Sequence, residues 1–129
     1  MNDEPLIAWA KAARLKAYAP YSNFQVGAAL EAADGTVFTG CNVENLSYGL
    51  TVCAERVAFS SAVAAGQKSF RRLVVCADSK DPVTPCGACR QVMIEFCEDL
   101  DILSVNLAGD QHRATLAQLL PRAKAGILG

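Results

Sequence analysis

Three thiols and one carboxylic acid fall into two short stretches that can build one chemical site: Cys53-Ala54-Glu55-Arg56 and Pro85-Cys86-Gly87-Ala88-Cys89-Arg90. In a Cys-x-x-Cys pair at the start of a helix both sulfurs can turn to one point, and Cys53 offers a third from the start of another helix. Zinc takes such ligands at ~2.3 Å in tetrahedral geometry, and a catalytic site keeps three protein ligands with water in the fourth position. The ion can lower the pKa of that water to ~7. Three thiolates around a divalent ion leave one excess negative charge, which opposes that ionisation. Two helix N-termini, each equivalent to about half a positive charge, and Arg56 and Arg90 beside the ligands can offset it. Glu55, two residues after a ligand, can reach the cavity without ligating and move protons. The expectation is one zinc per chain on Cys53, Cys86 and Cys89, with Glu55 as the acid–base group.

A closed structural zinc site would need a fourth ligand, for which Cys41, Cys76, Cys97 and the only histidine, His112, are available. It would leave Glu55 without a task. A redox reading of Cys86 and Cys89 leaves Cys53 idle. Cys41, Cys76 and Cys97 otherwise read as small buried hydrophobes. His112, among Asp110, Gln111 and Arg113, reads as solvated.

The elements that position these groups follow from periodicity. Residues 4–18 have the apolar spacing of an amphipathic helix, with Trp9 expected on the core side and Pro20 opening a loop. Residues 26–32 and 36–41 read as an antiparallel hairpin turned by Ala33-Asp34-Gly35. Residues 42–52 read as an ordered loop leading into the site. The Ala- and Val-rich segment 53–65, stopped by Gly66, predicts a helix with Cys53 at its start. An apolar strand at 73–77, a loop at 78–84, a helix at 87–97 with Val92, Met93, Ile94 and Phe96 as core candidates, and a strand at 102–107 form a βαβ unit. A last helix at 115–120 ends at Pro121. The expected fold is a three-layer α/β/α sandwich with a mixed sheet of about five strands, built as a single domain over 1–129.

Composition narrows the function. The 129 residues carry a net charge of -1 and a pI near 5.8, without the basic field that binds phosphate backbones. No run approaches the ~20 apolar residues that span a bilayer, and the acidic start Met1-Asn2-Asp3-Glu4-Pro5 is unlike a basic secretory signal, so a cytoplasmic protein is expected. With 52% hydrophobic and 19% charged residues, part of the apolar surface is expected between subunits.

Five blocks in order carry a resemblance: residues 18–29 (Tyr-Ala-Pro-Tyr-Ser-Asn-Phe-Gln-Val-Gly-Ala-Ala), Gly40-Cys41-Asn42-Val43-Glu44-Asn45, Cys53-Ala54-Glu55-Arg56, residues 85–92 and Leu119-Leu120-Pro121. In these the chain resembles the short, homotetrameric class of zinc-dependent cytidine/deoxycytidylate deaminases. The resemblance implies hydrolytic deamination of cytidine and 2′-deoxycytidine to the uracil nucleosides with release of ammonia, in pyrimidine salvage. It places Asn42 and Glu44 on the ribose, Phe24 as a stacking wall, the Ala54 backbone N–H on the pyrimidine carbonyl, Tyr48 toward a neighbouring subunit's site, and Arg56 beside the thiolates. An amide and a carboxylate suit sugar hydroxyls, and Glu44 would repel a 5′-phosphate. Nucleoside and water are then the partners, with no nucleic acid and no membrane, in a homotetramer.

One departure stands out. Where the family has a phenylalanine after Leu-Leu-Pro that reaches another subunit's base, this chain has Lys124. Alternative readings are a deaminase of a modified nucleoside such as blasticidin S, against which the Asn42-Val43-Glu44-Asn45 block favours an ordinary ribose, a non-catalytic zinc-stabilised binding module, and an editor of single-stranded nucleic acid, which the acidic pI disfavours.

Overall fold

The computed structural model describes residues 3–124, so 1–2 and 125–129 of the expected domain lie outside the described residues. Five strands form one sheet in the order β2-β1-β3-β4-β5: β1 Val26–Ala32, β2 Val37–Cys41, β3 Phe70–Ala77, β4 Asp101–Asn106 and β5 Gln111–Thr115. All neighbours pair antiparallel except β3 and β4, the two strands joined through helix α3 (Gly87–Phe96). This is the expected mixed sheet. Alternation along each strand sends successive side chains to opposite faces, so Ala29, Val74, Cys76, Leu103 and Val105 meet α1 (Glu4–Arg14) on one side. Ala28, Leu30, Leu73, Val75 and Ile102 face the layer of α2 (Ala54–Ala64) and α3 on the other.

The second face holds the larger core, where Phe59 of α2 is 1% exposed and meets Phe70 edge-on at 5.0 Å and Phe96 in a stack at 6.2 Å. Burying one such ring is worth roughly 1.5–3 kcal/mol. Two glycines set how closely the helices approach. A Cβ on Gly27 would overlap the Ala10 carbonyl and the Arg14 backbone of α1, and a Cβ on Gly40 would overlap the Ala54 carbonyl and come within 2.6 Å of the Ala58 nitrogen of α2.

Five expectations need correction. Trp9 is 55% exposed; the buried face of α1 is Leu6, Ile7, Ala10 and Ala13. At 100° per residue those four share one stripe and Trp9 falls beside it. The same helix ends at Arg14, not 18, because the Tyr18 backbone is used elsewhere: its N–H donates to Asn42 O at 3.0 Å and its carbonyl accepts from Glu44 N at 2.8 Å. The third is the segment around His112, read only as solvated, which forms edge strand β5 with only Ala114 buried. Helix α4 (Leu116–Leu119) is shorter than expected and starts on a capping box between Thr115 and Gln118. Phe96 and Val92 stay partly exposed, while Met93 and Ile94 are buried.

Candidate active site

Cys53 is the N-cap of α2 and Cys86 the N-cap of α3, with Cys89 in that helix's first turn. Two helix N-termini therefore converge on one point, as the spacing predicts. The three sulfurs lie within 4.8 Å of one another, and those of Cys86 and Cys89 are 3.5 Å apart. Tetrahedral bonds of ~2.3 Å would put sulfurs roughly 3.8 Å apart, so the donor set fits a zinc ion in number, chemistry and spacing. Among the described residues no fourth Cys, His, Asp or Glu joins the group, and Cys76 and Cys97 are buried as small hydrophobes while Cys41 is half-buried. That is the pattern of an open site.

The charges agree. A bond from the Cys89 thiol and the Arg56 guanidinium hold Cys53 down to about 5, and the same bond together with burial pushes Cys89 up. Among the protein groups alone, one thiolate is favoured at the expense of its neighbour; ionising all three calls for a cation. Arg56 Nη2 sits 3.4 Å from the Cys53 sulfur and 3.4 Å from the Thr51 carbonyl, while its buried Nε finds no acceptor among the described residues. Glu55, 5% exposed, has its carboxyl raised above the ordinary range chiefly by burial.

A cavity of about 240 Å³ opens over this cluster, and Phe24, Asn42, Cys53, Ala54, Glu55 and Cys86 all line it. Ala54 is the first residue of α2, where backbone N–H groups have no intrahelical acceptor. Sequence reasoning missed Val26, Thr51, Val75, Val83 and Thr84, which complete the wall. For Thr51 and Thr84 the signal was adjacency, since each lies two residues before a sulfur ligand candidate.

In this chain Asn42 and Glu44 both reach the 21–26 segment. The Asn42 amide donates to Phe24 O at 2.8 Å and its Oδ1 accepts from Val26 N at 2.9 Å. The Glu44 carboxylate accepts from Tyr21 N at 2.9 Å and from the Ser22 hydroxyl at 2.5 Å. Glu44 opens not into the first cavity but into a neighbouring depression with Tyr21, Ser22 and Tyr48; Thr51 lines both. Tyr48 is 74% exposed and meets Tyr21 edge-on at 6.1 Å. Lys124 lies away from this cavity, in a groove with Ile94, Cys97 and Glu98. Arg90, read as able to offset thiolate charge from beside the ligands, bonds to oxygens of Thr84, Pro85 and Leu119.

The family model for the cytidine and deoxycytidylate deaminase zinc-binding region matches residues 1–103. The chain belongs to this family. It is 55% identical to the cytidine deaminase of Sporosarcina psychrophila over 95% of this chain and 91% of that one. Among solved structures, the cytidine deaminase of Burkholderia pseudomallei superposes with a TM-score of 0.91 at 54% identity, covering 94% of this chain and 98% of that chain. The blasticidin-S deaminase of Bacillus cereus is 33% identical over 74% of each chain. The matched zinc-binding region contains Cys53, Cys86 and Cys89, a cluster that could hold a metal ion, and Glu55 lines the same cavity as Cys53 and Cys86.

Proposed function

We propose that the chain catalyses the zinc-dependent hydrolysis of cytidine and 2′-deoxycytidine to uridine and 2′-deoxyuridine. The observation that carries this reading is a buried Glu55 lining the same cavity as an open three-sulfur cluster, in a chain 55% identical to a cytidine deaminase. Cys53, Cys86 and Cys89 would hold a zinc ion, which would supply the Lewis acidity that makes water nucleophilic near neutral pH. Glu55 takes one proton from the attacking water and delivers it to ring nitrogen 3, then takes the second from the hydroxyl now on carbon 4 and passes it to the amino group as the carbon–nitrogen bond breaks. Water and cytidine thus give uridine and ammonia, with Glu55 returned to its starting state. Burial, by raising its pKa, suits Glu55 to hold a proton in transit.

Phe24 supplies an apolar wall for the pyrimidine face, and the Ala54 N–H a donor for its carbonyl. Asn42, whose amide keeps one N–H and one lone pair beyond its two backbone bonds, and Glu44 in the adjoining depression hold the ribose. Arg56 offsets thiolate charge. The greater similarity to cytidine deaminases than to the blasticidin-S enzyme supports an ordinary nucleoside as substrate.

The assembly is a homotetramer. Leu46, Tyr48 and Leu50, 78%, 74% and 66% exposed on the loop that borders the site, support burial against another copy, with Tyr48 directed to the neighbouring site. Among the described residues no helix is long and apolar enough to cross a membrane, in keeping with a cytoplasmic enzyme folded as one domain. Ultraviolet absorbance with cytidine, deoxycytidine and their monophosphates, alongside zinc analysis, tests the assignment. Conversion of the nucleosides alone with about one zinc per chain is expected; zinc without turnover of any of the four overturns the substrate.

A further inference from the structure

The part of the cavity wall made by Val83, Thr84 and Cys86 belongs to an irregular stretch between β3 and α3. One side chain spans it. From α3, one residue after Cys89, the half-buried Arg90 donates through Nε to Pro85 O at 2.6 Å, through Nη2 to Thr84 Oγ1 at 3.3 Å and through Nη1 to Leu119 O at 2.8 Å. Each nitrogen of the guanidinium has its own oxygen, on two separate pieces of chain, and a planar fork of this kind fixes direction as well as distance.

We infer that Arg90 is a positioning residue for the metal site, holding the Thr84-Pro85-Cys86 wall in register with Cys89 and tying it to the end of α4 without touching sulfur or substrate. The inference rests on the reading of Cys86 and Cys89 as zinc ligands. Cys86 is an exposed N-cap, and its sulfur must stay 3.5 Å from that of a fully buried Cys89. The helical bond from Arg90 N to Cys86 O at 3.0 Å fixes the carbonyl that follows the Cys86 side chain. The peptide that precedes it is fixed by the bond to Pro85 O. Without that bond the Pro85–Cys86 link is free to turn, and the sulfur turns with it. The contact with Leu119 makes the ligand loop sensitive to how the C-terminal helix is seated.

The test uses full-length Arg90→Gln and Arg90→Lys with zinc or cobalt bound, reading the rate at which a chromogenic chelator strips zinc, the cobalt(II) ligand-field bands, and thermal melts by circular dichroism. Arg90→Gln should fold, lose zinc about 10- to 100-fold faster and shift the cobalt bands. Lysine, which restores the charge but not the fork, should recover little of this. Wild-type stripping rates with unchanged cobalt bands in Arg90→Gln overturn the inference. Should Arg90→Gln fail to fold, Thr84→Val carries the same test, because it removes one acceptor and keeps two. Zinc loss faster by roughly two-fold or more is expected there, and a wild-type rate again overturns it. Wild-type protein that binds neither metal would instead remove the ligand reading, a result separate from either variant's.

Discussion

The Asn42 side chain donates to the Phe24 carbonyl at 2.8 Å and accepts from the Val26 amide at 2.9 Å, so the residue assigned to ribose also fixes the backbone on both sides of the cavity's aromatic wall. It is 9% exposed. Asn42→Ala should therefore act twice. Leaving a part-buried carbonyl and amide without partners costs at most about 1–3 kcal/mol each, visible as a lower urea midpoint. The freed Phe24 wall should raise KM for cytidine more than it lowers kcat. A midpoint unchanged from wild type would show that water replaces both bonds at no cost.

In the proposed reaction Glu55 serves the chemistry and not the metal. Its carboxyl is outside the three-sulfur group, and it leaves the first turn of the helix that Cys53 caps. Glu55→Gln, of the same shape but unable to carry a proton, should keep zinc at one per chain by metal analysis. Its kcat should fall by at least ~10²–10⁴. Turnover near wild type would move the proton transfer to another group.

The residues that could be read from the sequence are those whose partners are close in the chain. Cys86 and Cys89 share one turn, Cys53 and Glu55 share another, and the ends of both helices follow from local composition. Partners far along the chain were not legible: Arg90 meets Leu119, and Asn42 meets Phe24 and Val26, only because the sheet brings them together. Strand β5 escaped because an edge strand needs one apolar residue, here Ala114, and shows solvent its Gln111, His112 and Arg113. Trp9 misled because α1 lies so close to Gly27 that small residues, Ala10 and Ala13, fill the contact and the large ring is left outside.

The backbone of Gly40 is where the sheet sets the position of the site's first helix. A methyl group there would come within 2.6 Å of the Ala58 nitrogen and 3.1 Å of the Val57 Cβ. Overpacking of this kind typically costs about 1–3 kcal/mol. It would also push α2 outward at the turn that carries Cys53 and Glu55. Gly40→Ala should thus lower the melting temperature and lose activity beyond what its folded fraction explains. Full specific activity in the folded fraction would mean that α2 can shift without disturbing its N-terminus.

Glu44 gives the 21–22 turn a pH dependence whose sign can be worked out. Its carboxyl lies below the ordinary 4.5, first because the Ser22 hydroxyl donates to it and then because the Tyr21 and Ser22 amides do. A value depressed by folding stabilises the fold at pH above that of the unfolded chain, and the gain disappears as pH falls through the lowered folded value. Ser22→Ala should therefore be less stable than wild type at pH 7, with the gap closing below about pH 4.5 in paired urea titrations. A gap that stays constant with pH would assign the loss to the Phe24 N–H, which also uses Ser22 Oγ, at 3.0 Å.

Removing the metal should expose the thiols in a definite order. In the proposed site, bound zinc would occupy Cys53, Cys86 and Cys89. Burial pushes Cys97 up to about 11, so at pH 8 only about one in a thousand of its thiols is ionised. Cys76, 0% exposed, is raised by burial as well. A thiol-reactive dye on native protein should then find Cys41, half-buried on β2, as its fastest target. Chelation at the same pH should add the exposed Cys86 and the half-buried Cys53, abolish turnover and lower the melting temperature; added zinc should reverse all three. Peptide mapping of the labelled protein checks the order. Rapid labelling of Cys86 before chelation would mean that its sulfur is not held by the metal.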